Sequence, residues 1–136
     1  MKLKDFDFRV WEVLNKNLVY FNNSNFHALT NCHFNDDDEV ELYSGILDKN
    51  HKKIYEGDIV KFKKDIREYT TLKGVVIFEK CCFYAINESG NYYKLNQIFD
   101  IEILGNIHEN VDLLKEQDEA KRKGVENGRY TETTRN

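Results

Sequence analysis

Between Tyr43 and Lys64 the chain reads YSGILDKNHKKIYEGDIVKFKK, two extended runs broken by two tight turns. In its last run Val60 and Phe62 fall on one face, and Lys61 and Lys63 on the other. A period of two is the pattern of a half-buried strand and is incompatible with a helix face. Gly57 sits where the chain must turn sharply, a place that favours a residue without a Cβ. The absence of proline leaves the turns to Gly, Asn, Asp and Ser.

Strand patterns recur on both sides of this stretch. Phe6, Phe8 and Val10 alternate with Asp7 and Arg9, and Leu18–Phe21 returns after the polar Asn15–Asn17, which predicts an N-terminal hairpin with Trp11 packed at its end. Phe26–Cys32 reads as a short strand. Thr70–Glu79 is apolar on both faces, the signature of a central strand, expected here to be the most buried. Cys82–Asn87 returns from it with Cys81 and Cys82 on opposite faces, Asn87–Asn91 is a hairpin turn, and Tyr92–Leu95 pairs back. Phe99, Ile101 and Ile103 alternate with Asp100 and Glu102. Asn110 is placed to cap a short helix running to about Lys123, and the polar segment after Gly124 is expected to be disordered.

The chemistry of enzymes is missing from the pattern. There is no phosphate-cradling glycine loop, nucleophile elbow or HExxH motif. Glu56 and Asp58 flank Gly57 as a carboxylate pair, but turn carboxylates ordinarily accept backbone N–H groups. Asp36–Glu39 lacks the ligand spacing of a calcium loop, and His27, Cys32 and His33 lack the paired spacing of a zinc site, so neither metal nor cofactor is expected. An odd count of three cysteines closes no disulfide framework. No apolar run is long enough to span a membrane and no signal peptide is evident, so a cytoplasmic location is expected.

Net charge is −4, unevenly distributed, with four basic and eight acidic side chains in residues 1–47 and nine basic and six acidic in residues 48–80. Two binding surfaces follow. Asp36, Asp37, Asp38, Glu39 and Glu41 form an acidic stretch suited to a basic protein partner. Lys49, Lys52, Lys53, Lys61, Lys63, Lys64 and Arg67 form a basic face suited, alternatively, to nucleic acid, with Tyr43, Tyr55, Phe62 or Tyr69 stacking on bases.

Ser44–Val60, SGILDKNHKKIYEGDIV, closely resembles the segment TGLxDKNGKxIYEGDIV of the YopX family of phage and prophage proteins. Phe8-Arg9-Val10-Trp11 with Leu18-Val19-Tyr20 is similar to that family's opening FRxWD…MxY. Gly74–Phe78 is similar to its GxVxF strand, and Ile103–Asn110 to its VIGNIYEN close. His51 departs from the family's glycine and Val111 from its proline. The resemblance covers Phe6 to Leu114 and implies a compact, mostly β fold of viral origin without an established activity. Its structural motif residues here are Trp11, Gly45, Tyr55, Glu56, Gly57, Asp58, Gly74, Gly105 and Asn106.

The expectation is a mainly β (β+α) protein with a single domain over 1–114. Its architecture is a small, partly open antiparallel β-barrel or strongly curved sheet, with an N-terminal hairpin and one short C-terminal helix. Residues 115–136 hold the helix end and a polar tail. The expected role is non-enzymatic binding of a protein partner, with nucleic-acid binding as the alternative. Open strand edges also favour homo-oligomers.

Overall fold

The computed structural model describes residues 7–22, 25 and 33–114. The expected strand at Phe26–Cys32, the helix beyond Leu114 and the polar tail lie outside the described residues. Nine strands follow one another: β1 (Phe8–Glu12), β2 (Asn17–Phe21), β3 (Glu39–Leu47), β4 (Lys53–Tyr55), β5 (Asp58–Lys63), β6 (Leu72–Glu79), β7 (Cys82–Asn87), β8 (Tyr92–Lys94) and β9 (Phe99–Asn106), with a 3-10 turn at Leu95–Gln97. They form two antiparallel sheets, of order β2-β1-β3-β4 and β8-β7-β6-β5-β9, one of them curled into a half-barrel. The mostly β, curved architecture and the N-terminal hairpin match the sequence expectation.

The alternation in β5 works as its pattern requires. Val60 and Phe62 are fully buried in a core with Ile54, Val76, Ala85, Leu95, Ile98 and Ile101. A second, smaller core of Phe8, Val10 and Phe21 lies on one face of the first sheet. The Gly57 turn does not fold β4 back on β5. Instead β4 pairs with β3 while β5 pairs with β6 and β9, so the turn is a corner that carries the chain from one sheet to the other. Backbone bonds close this corner: Gly57 N–H donates to Val76 O (2.8 Å) and Ile107 N–H to Gly57 O (2.9 Å). At the far end Asp48 accepts from the N–H groups of Asn50, Lys52 and Ile103, and Lys49 N–H donates to Ile101 O, docking the β3–β4 turn on β9. Burial works against the Asp48 charge, but these donors outweigh it and hold its carboxyl below the ordinary range.

Four local expectations are corrected. The most buried strand is β5 rather than β6, because Val75 and Ile77 on the outer face of β6 are only half covered, whereas Ile59, on the face of β5 opposite Val60 and Phe62, is completely enclosed. Asp7 and Arg9 are buried rather than solvated, so β1 is closed on both faces. Cys81 and Cys82 do not alternate along one extended run: Lys80 and Cys81 have φ of 52° and 62° and form a two-residue hairpin loop of the mirror-image type, between paired Glu79 and Cys82. Asn110 does not cap the helical turn at residues 112–114 with its side chain, which instead accepts from Asn106 N–H (3.1 Å).

His51 takes φ of 66° in the β3–β4 turn. A residue with a Cβ is strained there by about 1 kcal/mol or more. Glycine relieves that strain at some entropic cost to the unfolded chain, so His51→Gly is expected to stabilise the fold by about 0.5–1 kcal/mol. A rise in the urea midpoint at constant slope is the readout; a fall would mean that the imidazole contributes more than the strain costs.

Candidate functional site

β1 exposes its second face not to water but to the Gly57 corner. Phe8 and Val10 occupy the small core, and the alternation therefore sends Arg9 the other way. Arg9, only 3% exposed, donates from Nε to Glu41 Oε1 (2.7 Å) on neighbouring β3. Its Nη2 donates to Asp58 Oδ1 (2.9 Å) at the start of β5 and to the Glu56 carbonyl (3.0 Å) in the corner. The guanidinium also lies over the Tyr55 ring, 4.8 Å from its centroid. The other carboxylate oxygen of Glu41 is 2.7 Å from His108 Nε2, and the His108 ring stacks on Trp11 at 4.5 Å between centroids. Tyr55 donates its hydroxyl to Asp7 (2.6 Å), which also pairs with Lys53.

Four stretches far apart in the chain thus meet: Asp7–Trp11, β3 at Glu41, Tyr55–Asp58 and Gly105–Glu109. Each contributes polar groups that are costly to bury alone and tolerable together. Burial opposes the charge on Arg9, but Asp58 and Glu41 outweigh it and hold its pKa above the ordinary value. Burial pushes Tyr55 up, with Asp7 adding to the effect. Glu56 is raised by burial too, although its carboxylate accepts from Leu42 N–H (2.9 Å). Burial pushes the Asp58 carboxyl up to about 6 even though Arg9 and the Tyr55 N–H group favour its charge.

A stability maximum on the acid side follows. Between pH 6 and the ordinary carboxylate range, folded Asp58 holds a proton that the unfolded chain releases, so stability rises as pH falls. Glu56 has the same sign. Asp48 and Glu102 are held low and act oppositely, losing stability once pH falls below their unfolded values. The melting temperature is expected to be higher at mildly acid than at neutral pH, by the equivalent of about 1–2 kcal/mol, and to fall again below about pH 4. Asp58→Asn, which retains an acceptor for Tyr55 N–H and Arg9, is expected to flatten the rise; an unchanged slope would assign it to another group.

The structure brings several motif residues together. Trp11, Tyr55, Glu56, Gly57, Asp58, Gly105 and Asn106 all belong to this junction. Asn106 binds the Gly105–Glu109 turn onto itself, accepting from the N–H groups of His108 and Glu109. Gly45 lies apart at the register shift of β3, and Gly74 lies inside the second sheet, where a Cβ would stand 2.7 Å from Ile86 O.

The acidic stretch divides. Asp36, Asp37 and Glu39 are exposed. Asp38 accepts from Val13 N–H (3.0 Å) and Asn35 N–H (2.8 Å), which pins the loop to the β1–β2 turn. Glu41 is corrected: it is buried in the junction and contributes nothing to an exposed acidic surface. The basic face is largely neutralised by its own neighbours. Lys49 and Lys61 share Glu102, Lys63 pairs with Asp100, Lys53 with Asp7 and Arg67 with Asp65. Lys52 and Lys64 make no such close ion pair among the described residues, although their charges act on Asp48 and Asp65. Of the aromatic residues expected to stack on bases, Phe62 is wholly and Tyr55 nearly wholly buried, and both are corrected; Tyr43 is half-buried against Tyr55, and Tyr69 is exposed.

Arg9, Asp7, Tyr20 and His108 were missed as site residues. The signal lay in the strand pattern, where Asp7 and Arg9 occupy the polar face of β1 among motif residues. Their burial depends on pairing in space. Glu39, Glu41 and His108 bring ligand atoms within 4.8 Å of one another. Glu41 already accepts from Arg9 and meets His108, so a cation there would have to displace both.

Residues 34–115 match the family model described as YopX protein. The match spans more than half of the chain, which therefore belongs to the YopX family. No curated protein matches it.

Proposed function

We propose that this YopX-family chain is a non-enzymatic accessory protein of a phage or prophage that works in the host cytoplasm by binding another protein. The observation that carries this reading is the free end of the first sheet. Asp36, Asp37 and Glu39 stand exposed without an ion pair among the described residues, beside the exposed apolar side chains of Val13, Leu14, Phe34 and Val40. Val13 is held next to the loop by Asp38. An apolar patch with a charged rim is the anatomy of a protein interface, and the sign of the rim favours a basic partner.

Two further observations support binding over the alternatives. The ionisable groups of the junction are engaged with one another, which suits a structural role better than a catalytic one. The lysines of β5 are paired with acids of β9, which lowers the field available to phosphate. No helix among the described residues is long and apolar enough to cross a membrane. Self-association is a further proposal, resting on β2, which among the described residues is the outermost strand of its sheet and carries the exposed Tyr20.

A pull-down from host lysate, treated with nuclease and washed at low and high salt, tests the reading. The expected result is a protein that survives nuclease and is lost when Asp36, Asp37 and Glu39 are reversed to lysine. Recovery of nucleic acid that depends on Lys61 and Lys63 would instead establish the basic face. Light scattering that finds only monomer at micromolar concentration would exclude self-association.

A further inference from the structure

A cavity of about 400 Å³ opens beside the junction, lined by Arg9, Tyr20, Lys52, Tyr55 and Ile103 and also by the ion-paired Lys53 and Asp58. Arg9 is incompletely used there. A guanidinium carries five N–H donors. Nε and Nη2 meet Glu41, Asp58 and the Glu56 carbonyl at 2.7–3.0 Å, whereas among the described residues Nη1 meets only the Tyr20 hydroxyl, at 3.5 Å. That last distance is at the limit of a hydrogen bond. A buried cation with unspent donors beside a cavity is a group awaiting an acceptor.

The surrounding charges say which acceptor. Lys53 is committed to Asp7, and Asp58 to Arg9. Lys52 makes no close ion pair among the described residues, although its charge acts on Asp48, and it lies in the same wall. One cation outside any close ion pair and one under-used guanidinium nitrogen suit a single negative charge, while a dianion would be repelled by Asp58. The Tyr20 and Tyr55 rings and the Ile103 side chain supply apolar wall for the rest of the molecule. Arginine's planar fork matches a carboxylate in particular.

We propose that this cavity binds a monocarboxylate with an apolar body, its carboxylate set between Arg9 Nη1, the Tyr20 hydroxyl and Lys52, and its body against Tyr20, Tyr55 and Ile103. The chemistry is supplied either by a free organic acid or by the C-terminus of a peptide. The site is separate from the acidic rim, and stands or falls independently of it.

The test uses the full chain and avoids altering Arg9, whose ion pairs hold the fold. Sodium benzoate is titrated against the ¹⁵N-labelled protein, with benzamide as the uncharged counterpart. A second arm uses acetyl-Gly-Gly-Phe with a free or an amidated C-terminus. Benzoate or the free-acid peptide is expected to give saturable shifts at Arg9 Nε–H and at the Lys52 and Ile103 amides, with benzamide and the amidated peptide inert. Lys52→Glu is expected to weaken binding about tenfold or more in a protein whose amide spectrum shows it still folded, and Tyr20→Phe to weaken it less. Stronger binding of benzoate identifies a free acid; stronger binding of the peptide identifies a chain terminus. Absence of saturation by both acids up to about 20 mM, or binding equally strong in Lys52→Glu, overturns the proposal.

Discussion

Arg9→Ala is expected to remove about 3–5 kcal/mol of folding stability, the largest loss available from a single polar side chain in this protein. The reason is what it leaves behind. Glu41 and Asp58 are both more than nine-tenths buried and both face the guanidinium, at 2.7 and 2.9 Å. Without Arg9, Asp58 loses its ion-pair partner and Glu41 retains only His108 on its other oxygen. The corner carbonyl of Glu56 loses its donor as well. A domain of this size has about 5–15 kcal/mol in total, so the variant is expected to melt far lower or to fail to fold at growth temperature. Arg9→Lys is expected to recover only part of the loss, because a single ammonium cannot reach three acceptors spread over β3 and the Gly57 corner. Replacing Arg9, Glu41 and Asp58 together by apolar residues of similar volume is expected to restore much of the stability. Chemical denaturation of the three variants separates these outcomes. A loss under about 1 kcal/mol for Arg9→Ala would show that water reaches the carboxylates and that the network is not the structural centre described here.

Gly57→Ala is expected to cost a similar amount, about 3–5 kcal/mol, by two independent routes. At φ of 85° any side chain is strained. The new Cβ would also overlap the Glu41 carboxylate, with Glu41 Cδ at 2.9 Å. In an ordinary surface contact a glutamate would swing aside. Here Oε1 is held by Arg9 and Oε2 by His108, so movement of Glu41 breaks the network that Arg9→Ala also breaks. The two substitutions should therefore be strongly non-additive, the double variant falling well short of the sum. Tryptophan fluorescence offers a second readout, because Trp11 is the single tryptophan and stacks on His108. Gly57→Ala is expected to alter its emission in the folded protein. An unchanged spectrum together with an unchanged melting temperature would place Glu41 elsewhere.

Much of this architecture is legible along the chain. The alternation of Val60 and Phe62 with Lys61 and Lys63 identifies β5, the Asp48–Lys52 turn separates β3 from β4, and Asn87–Asn91 is a hairpin turn because its residue types permit little else. The Lys80–Cys81 loop was illegible for the opposite reason. It adopts a conformation usually reserved for Asn-Gly, imposed by the register of β6 on β7 from outside the loop. Likewise the corner at Gly57 reads locally as a hairpin, and only the pairing of β5 with β6 and β9 makes it a crossing between sheets.

The candidate sites divide in the same way. Asp36, Asp37 and Glu39 remain on the surface, where a run of carboxylates without ion pairs among the described residues stays. Glu41, two residues further on, points to the opposite environment, because it has entered β3 and lies across from Arg9 in the register of that strand with β1. Sequence by itself determined the strands, the turns that glycine and asparagine permit, and the family, since each depends on neighbours a few residues away. The tertiary structure alone decided which charges are buried. A charge is tolerated in the interior only when an opposite one meets it at hydrogen-bonding distance, and Arg9, Glu41, Asp58 and His108 come from four segments that no local rule connects.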